Sequence, residues 1–248
     1  MELKDLPAYR ADFCNTENLL EKKGNFRLIE GDRESEIPHL LRVKQEGYLR
    51  LRSDLSYNRA ADTLWEMGGS PGCHWPVLIV VADLFVAGKI HNVLEFGSGM
   101  SSLFFSALAK KYNGKQVTLE NHRKWFEMNI EFFKRMGVPS QGLFHKEEFW
   151  EPGDLIDNGP FDFVFSDCEP ALFRRNAVEK YLPALTEDCV IFFDDCEQDQ
   201  FFFQHHDWAE QLGLTAPGRF YSEQRGIAVI DPSHKLDSIN FETTPEYK

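Results

Sequence analysis

From about residue 90 onward, short unbroken apolar runs alternate with longer stretches whose apolar positions recur every three to four residues. The first pattern is that of strands covered on both faces, and the second is that of helices with one buried stripe. The runs predict strands at His91–Phe96, Lys115–Glu120, Phe161–Ser166 and Cys189–Phe193, with a weaker one at Gly142–Lys146. Helices are expected between them, at Ser101–Tyr112, His122–Met136, Arg174–Leu185 and Gln198–Leu212. Gly137 and Pro139 close the second of these helices, and Pro183 bends the end of the third. Gly218–Ser222 and Gly226–Ile230 follow with little between them, too little for a parallel crossover, so this last pair is expected to be antiparallel. The expected fold class is α/β, a Rossmann-like three-layer sandwich around a mostly parallel seven-stranded sheet with an antiparallel last strand.

Before residue 90 the rhythm is weaker. Residues 1–45 are polar and broken, with Phe26–Ile29 as a candidate short strand. A helical pattern runs from Val43 to Met67, interrupted near Ser53–Ser56, and a buried helix is expected over Val77–Ala87. The Gly68-Gly69-Ser70-Pro71-Gly72 loop is the expected boundary between an N-terminal helical cap or lid (1–72) and a main domain (73–248).

Composition narrows the function classes. A chain of 248 residues with 42% hydrophobic residues, 22 Phe among them, can bury one sizeable α/β core. A formal net charge of −13 argues against a nucleic-acid-binding protein, which needs a basic face. The denser basic clusters, Lys110-Lys111, His122-Arg123-Lys124 and Arg174-Arg175, read as helix surface. Five cysteines, at 14, 73, 168, 189 and 196, include no Cys-x-x-Cys pair, which fits a reducing cytosol rather than a disulfide framework or zinc finger. No signal-peptide pattern or membrane-length apolar run is visible, so a cytoplasmic protein with no membrane association is expected.

The candidate chemistry lies at the ends of the strands. In an open α/β sheet, ligands bind beyond the carboxyl ends of the strands, near the point where strand order reverses. Here those ends carry Glu95, Glu120, Asp167 and Asp194-Asp195, and Gly97-Ser98-Gly99 makes the first strand-to-helix turn. Four acidic positions on one rim are hard to explain as packing, because buried carboxylates are costly unless paired or liganded. Glu120 lies 21 residues after Gly99, where an acidic side chain can take a ribose diol. Asp167, Asp194 and Asp195 form a candidate set for a hard cation such as Mg²⁺. Without a metal, Asp167 would hydrogen-bond the acceptor and His205 or His206 would act as base. His74 and Trp75, just before the main domain, are read as pocket lining or as loop packing. Arg174 and Arg175 are read as partners of an acidic substrate or of the rim carboxylates. Cys168 and Cys196 read as small apolar fillers, and Phe201-Phe202-Phe203 as a homodimer contact or as core.

Residues 74–231 resemble the class I, Rossmann-like S-adenosylmethionine (AdoMet)-dependent methyltransferases. Leu94-Glu95-Phe96-Gly97-Ser98-Gly99 resembles their first motif and Val117-Thr118-Leu119-Glu120 the second. Phe161–Asp167 is similar to the fourth, and Leu185–Asp195 to the strand-five segment, with Glu187-Asp188 where Pro-Gly is usual. The resemblance implies that Glu95, Gly97, Ser98 and Gly99 frame the methionine and ribose end of AdoMet, with Asp167 on the same rim. It further implies that Glu120 holds the ribose and that Glu147 and Phe149 lie near the adenine. The catechol O-methyltransferase type has an acidic metal triad at similar places. This chain has Asp195 where that type has Asn, and Pro170 where it has a catalytic lysine. The expected activity is methyl transfer to a small-molecule acceptor, foremost at oxygen. The alternatives are an N-methyltransferase, an aminopropyl transferase, a dinucleotide oxidoreductase, or a binding module that has lost catalysis.

Overall fold

The computed structural model describes residues 40–41, 55–69, 75–147, 158–169, 173–196, 199–215, 217–222 and 225–236. The expected strand at 26–29, the helical pattern over 43–54, His74 and Phe149 lie outside them, as does the side chain of Trp75. The described strands are β1 (Leu40–Leu41), β2 (Asn92–Phe96), β3 (Lys115–Glu120), β4 (Leu143–His145), β5 (Phe161–Ser166), β6 (Leu185–Phe193), β7 (Gly218–Ser222) and β8 (Arg225–Ile230). They form one sheet in the order β1-β7-β8-β6-β5-β2-β3-β4. The seven expected strands are all present, and β1 adds a two-residue parallel pairing on the β7 edge. β8 alone runs against its neighbours: it pairs antiparallel with both β6 and β7, while the remaining pairs are parallel.

Helices α1 (Leu55–Glu66), α2 (Trp75–Val86), α3 (Met100–Lys111), α4 (Arg123–Met136), α5 (Phe173–Tyr181) and α6 (Asp199–Gln211) cover the sheet. Alternation along the strands sorts the core into two halves. Phe163, Phe165 and Phe192 face the side packed by α1–α4, whereas Val164, Ile191 and Phe193 face α5 and α6. Because both faces are buried, the strands read as continuous apolar runs. Ala60, Ala61 and Leu64 of α1 share the first half-core with Val77, Val80 and Leu84 of α2, so packing is continuous across the residue 68–72 loop.

One boundary differs from the sequence expectation. The helix expected to reach Leu185 stops at Tyr181 and tightens into a 3₁₀ turn, Leu182–Ala184, with Pro183 in its first positions. Proline has no N–H to continue an α-helix, so the chain leaves early and β6 starts at Leu185 rather than Cys189. The extra residues are absorbed by a register shift between Phe161 and Phe163 where β5 pairs with β6.

The sheet reverses its order at β2. From there the chain builds outward through β3 and β4, then crosses to β5 and β6 on the other side. The carboxyl ends of β2, β3 and β5 therefore meet at a crevice, and Gly97 is the residue that lets them close. It has φ +91°, and a Cβ there would stand 2.5 Å from the Asp167 carbonyl oxygen. Gly97→Ala is expected to cost about 2–4 kcal/mol, from left-handed strain plus a backbone clash that cannot relax. A urea unfolding midpoint within error of the wild type would refute this.

Candidate active site

A cleft of about 670 Å³ opens at the switch point, lined by Gly97, Ser98, Glu120, Asn121, His122, Trp125, Asp167, Cys168 and Glu169. Its floor is the turn after β2. One wall is the end of β3 with the first turn of α4, and the opposite wall is the segment after β5. Asn121 Nδ2 donates to the Glu169 carbonyl at 2.8 Å, tying the two walls together.

Glu120 is 4% exposed, yet its carboxylate lines the cleft. Three donors fix it: Oε2 accepts from the Ser98 N–H at 2.9 Å and from Ser98 Oγ at 2.8 Å, and Oε1 accepts from the His122 N–H at 2.7 Å. A carboxylate offers about four acceptor positions, so this one is oriented while keeping capacity for a ligand hydroxyl. Trp125 Nε1 donates to the Ser98 carbonyl, and the indole lies beside Gly99, where a Cβ would find, among the described residues, only the Trp125 ring, at 3.9 Å. Room at Gly99, a glycine turn into α3 and an oriented carboxylate on the wall fit the ribose and methionine portions of AdoMet.

Glu95 sits behind the turn, fully buried, and accepts from Thr118 Oγ1 at 2.6 Å. Burial pushes its pKa up to about 7, against the lowering effect of the Ser101, Thr118 and Ser102 hydroxyls. It supports the turn from beneath rather than lining the cleft. Glu147 is exposed beyond β4 and is not among the described residues that line the cleft.

Asp167 occupies the cleft wall opposite Glu120, with 31% of its side chain exposed. Burial of its surroundings, then the charge of Asp194, raises its pKa well above the ordinary carboxylate value; Arg174 opposes the shift, and Asp195 and Glu95 add to it. Arg174, 2% exposed, organises this corner. Its Nε donates to the Cys168 carbonyl at 3.0 Å and Nη1 to the Asp194 carbonyl at 2.6 Å. Nη2 reaches Asp167 Oδ1 at 3.0 Å and Asp195 Oδ2 at 2.7 Å. Burial works against the guanidinium charge, but the carboxylates of Asp167, Asp195 and Asp194 outweigh it and hold the group protonated. Arg175 turns the other way, donating to the Gln204 carbonyl at 2.7 Å.

The donor set does not fit the Mg²⁺ site expected at Asp167, Asp194 and Asp195. Arg174 Nη2 already occupies one oxygen of Asp167 and one of Asp195, so a guanidinium stands where those two carboxylates converge. Among the described residues no group of three His, Cys, Asp or Glu side chains is placed to hold a metal ion.

His205, expected as a base, lies in the second half of the core. It is 6% exposed and stacks on Phe193 with ring centroids 4.2 Å apart. Burial, aided by the charges of Arg175 and Arg174, pushes its pKa down from 6.5 to about 3. It is neutral near pH 7 and does not line the cleft. A histidine with a depressed folded pKa binds fewer protons than in the unfolded chain. Its contribution to stability is therefore present above pH 6.5 and lost as pH falls towards about 3. His205→Phe is expected to resist acid better than the wild type by up to about 2 kcal/mol between roughly pH 7 and pH 5. Urea titrations at the two pH values check this; equal acid sensitivity in both proteins would refute it.

Phe202 is buried in the same half-core, with Phe203 packed against it. Cys168, Cys189 and Cys196 are buried free thiols, and burial pushes Cys168 up to about 12. No helix of the described residues is long and apolar enough to cross a membrane.

Comparison with known proteins bears on the fold. Residues 94–196 match the profile of a family described as a methyltransferase domain. No curated protein sequence matches the chain. Among solved structures, the O-methyltransferase TomG from Streptomyces achromogenes, involved in tomaymycin synthesis and crystallised with SAM, is similar at 16% identity and a TM-score of 0.55. That alignment covers 73% of this chain and 91% of TomG. Cofactor-bound Rv0187 from MTB is similar at 16% identity and a TM-score of 0.59, over 75% of this chain and 95% of that one. Residues 94–196 thus carry a methyltransferase-domain profile, and the strand order with its antiparallel β8 gives the chain the fold of these solved structures.

Proposed function

We propose that the protein transfers the methyl group of AdoMet to a small-molecule acceptor, foremost to an oxygen. The observation that carries this reading is the cleft with Glu120 oriented on one wall and Asp167 on the other. Its volume of about 670 Å³ lies in the range of small-ligand pockets. AdoMet supplies an electrophilic methyl group on a positively charged sulfonium. Glu120 accepts hydrogen bonds from the ribose diol and fixes the donor in the cleft. Ser98 and the turn at Gly97 set how close the cofactor approaches the sheet.

Asp167 takes the proton from the acceptor hydroxyl. A carboxylate with a raised pKa is better matched to that task near neutral pH than an ordinary one. Binding both reactants in one cleft supplies the alignment that an in-line displacement needs. The likeness to TomG, an O-methyltransferase, supports oxygen as the acceptor atom. An amine acceptor is the second reading, favoured by the acidic lining that Glu120, Asp167 and Glu169 give the cleft.

The test is calorimetric titration with S-adenosylhomocysteine, followed by AdoMet turnover against a panel of phenols and amines. Failure to bind S-adenosylhomocysteine would end the methyltransferase reading. Methylation confined to amines would replace the oxygen reading with the second.

A further inference from the structure

We propose that Arg174 is the resident cation of the active-site rim, positioning Asp167 and Asp195 in place of a divalent metal ion, so that this site works without one. Three observations converge on it. First, Nη2 alone bridges the two carboxylates, at 3.0 Å to Asp167 Oδ1 and 2.7 Å to Asp195 Oδ2. Second, the remainder of the guanidinium is committed to backbone carbonyls on both strand ends, Cys168 after β5 and Asp194 after β6. The group is thus anchored to the backbone at both strand ends. Third, Asp195 adopts a left-handed backbone, φ +56°, a conformation uncommon outside glycine though more accessible to Asp than to most residues. A strained residue at a site rim persists where its surroundings hold it. Here the guanidinium engages its carboxylate.

A guanidinium differs chemically from a hard divalent ion. It carries one charge, donates directional hydrogen bonds, and has no coordination position to offer a substrate oxygen. It balances part of the charge of the Asp167–Asp194–Asp195 cluster and engages Asp167 through Oδ1. Proton removal from the acceptor then falls to Asp167 itself. This last step rests on the methyltransferase reading, whereas the exclusion of a metal ion does not.

The experiment is titration with Mn²⁺ followed by its electron paramagnetic resonance signal, on the full chain, with S-adenosylhomocysteine calorimetry on the same samples. The wild type is expected to leave the free Mn²⁺ signal unchanged. Arg174→Met, which keeps the bulk of the stem and removes the charge, is expected to gain Mn²⁺ affinity by about tenfold or more as carboxylates are released. Adding Asp195→Asn to Arg174→Met is expected to abolish that gain. Mn²⁺ binding by the wild type that Asp195→Asn removes would overturn the proposal, as would a folded Arg174→Met protein with no gain. Should Arg174→Met fail to fold, the wild-type and Asp195→Asn titrations decide alone. S-adenosylhomocysteine binding reports separately on the methyltransferase reading, so either idea can fail while the other stands.

Discussion

Replacing Glu120 with alanine is expected to weaken S-adenosylhomocysteine binding by about 100- to 1,000-fold. A hydrogen bond to a charged acceptor contributes about 1.5–3 kcal/mol, a ribose diol makes two, and each 1.4 kcal/mol is tenfold in affinity. The upper end of that sum is reduced because water competes for both groups in the open cleft. Calorimetric titration measures the loss directly. The same substitution leaves the Ser98 and His122 N–H groups without their carboxylate, so some destabilisation accompanies it. Glu120→Gln separates the two effects, because the amide oxygen can still accept from one of these donors while the charge is gone. If Glu120→Ala retained affinity within about threefold, the ribose would lie elsewhere and the orientation of AdoMet in the cleft would have to be redrawn.

The second large effect is expected at Asp167. Asp167→Asn should reduce turnover by about 100- to 10,000-fold, the usual range for removing a proton acceptor, while S-adenosylhomocysteine affinity changes little. The pH dependence gives a second readout. With its pKa raised by burial and by Asp194, Asp167 is protonated and inactive on the acid side, so wild-type turnover rises with pH until that group has ionised. The asparagine variant is expected to lack this acid limb. Because removing a carboxylate from a crowded acidic corner relieves repulsion, the variant should melt no lower than the wild type. A variant that loses activity and thermal stability together would point to a structural role instead. Initial-rate profiles with an acceptor from the phenol and amine panel, beside thermal melts, provide the measurements.

Much of this was legible in the sequence because the β2–β8 segment obeys simple rules. Leu94, Val164 and Phe192 sit in runs that only a doubly covered sheet makes apolar throughout, and the short connection before β8 forces an antiparallel pair. The rim acids follow from the strand ends, so Glu120 and Asp167 were located as soon as the strands were. What a strand pattern does not give is depth. Glu95 and Glu120 both close strands, yet one lies behind the turn and the other on the cleft wall, a difference set by the pleat and by the turn at Gly97.

The choice between Arg174 and Arg175 was open to helix phase. Arg174, Ala177, Val178 and Tyr181 share one buried stripe, the i, i+3, i+4, i+7 positions of α5. The same test bears on His205, which lies with Phe202, Trp208 and Ala209 on the buried side of α6. Asn121, His122 and Trp125 carry no motif. They enter the cleft because they follow β3 and open α4, and the turn after a strand that ends in a cleft-lining acid is where such residues are to be sought.

The position of β8 bears on how the protein is made. It is inserted between β6 and β7, yet it is the last of the described strands to leave the ribosome. Until it arrives, β6 has, among the described strands, a partner only on its β5 side, and the apolar segment Val190–Phe193 presents a row of unpaired backbone groups to the surroundings. A nascent chain in that state is a template for edge-to-edge association with its neighbours on the same message. Demand for holdase chaperones should therefore be concentrated in the brief interval between synthesis of β6 and synthesis of β8.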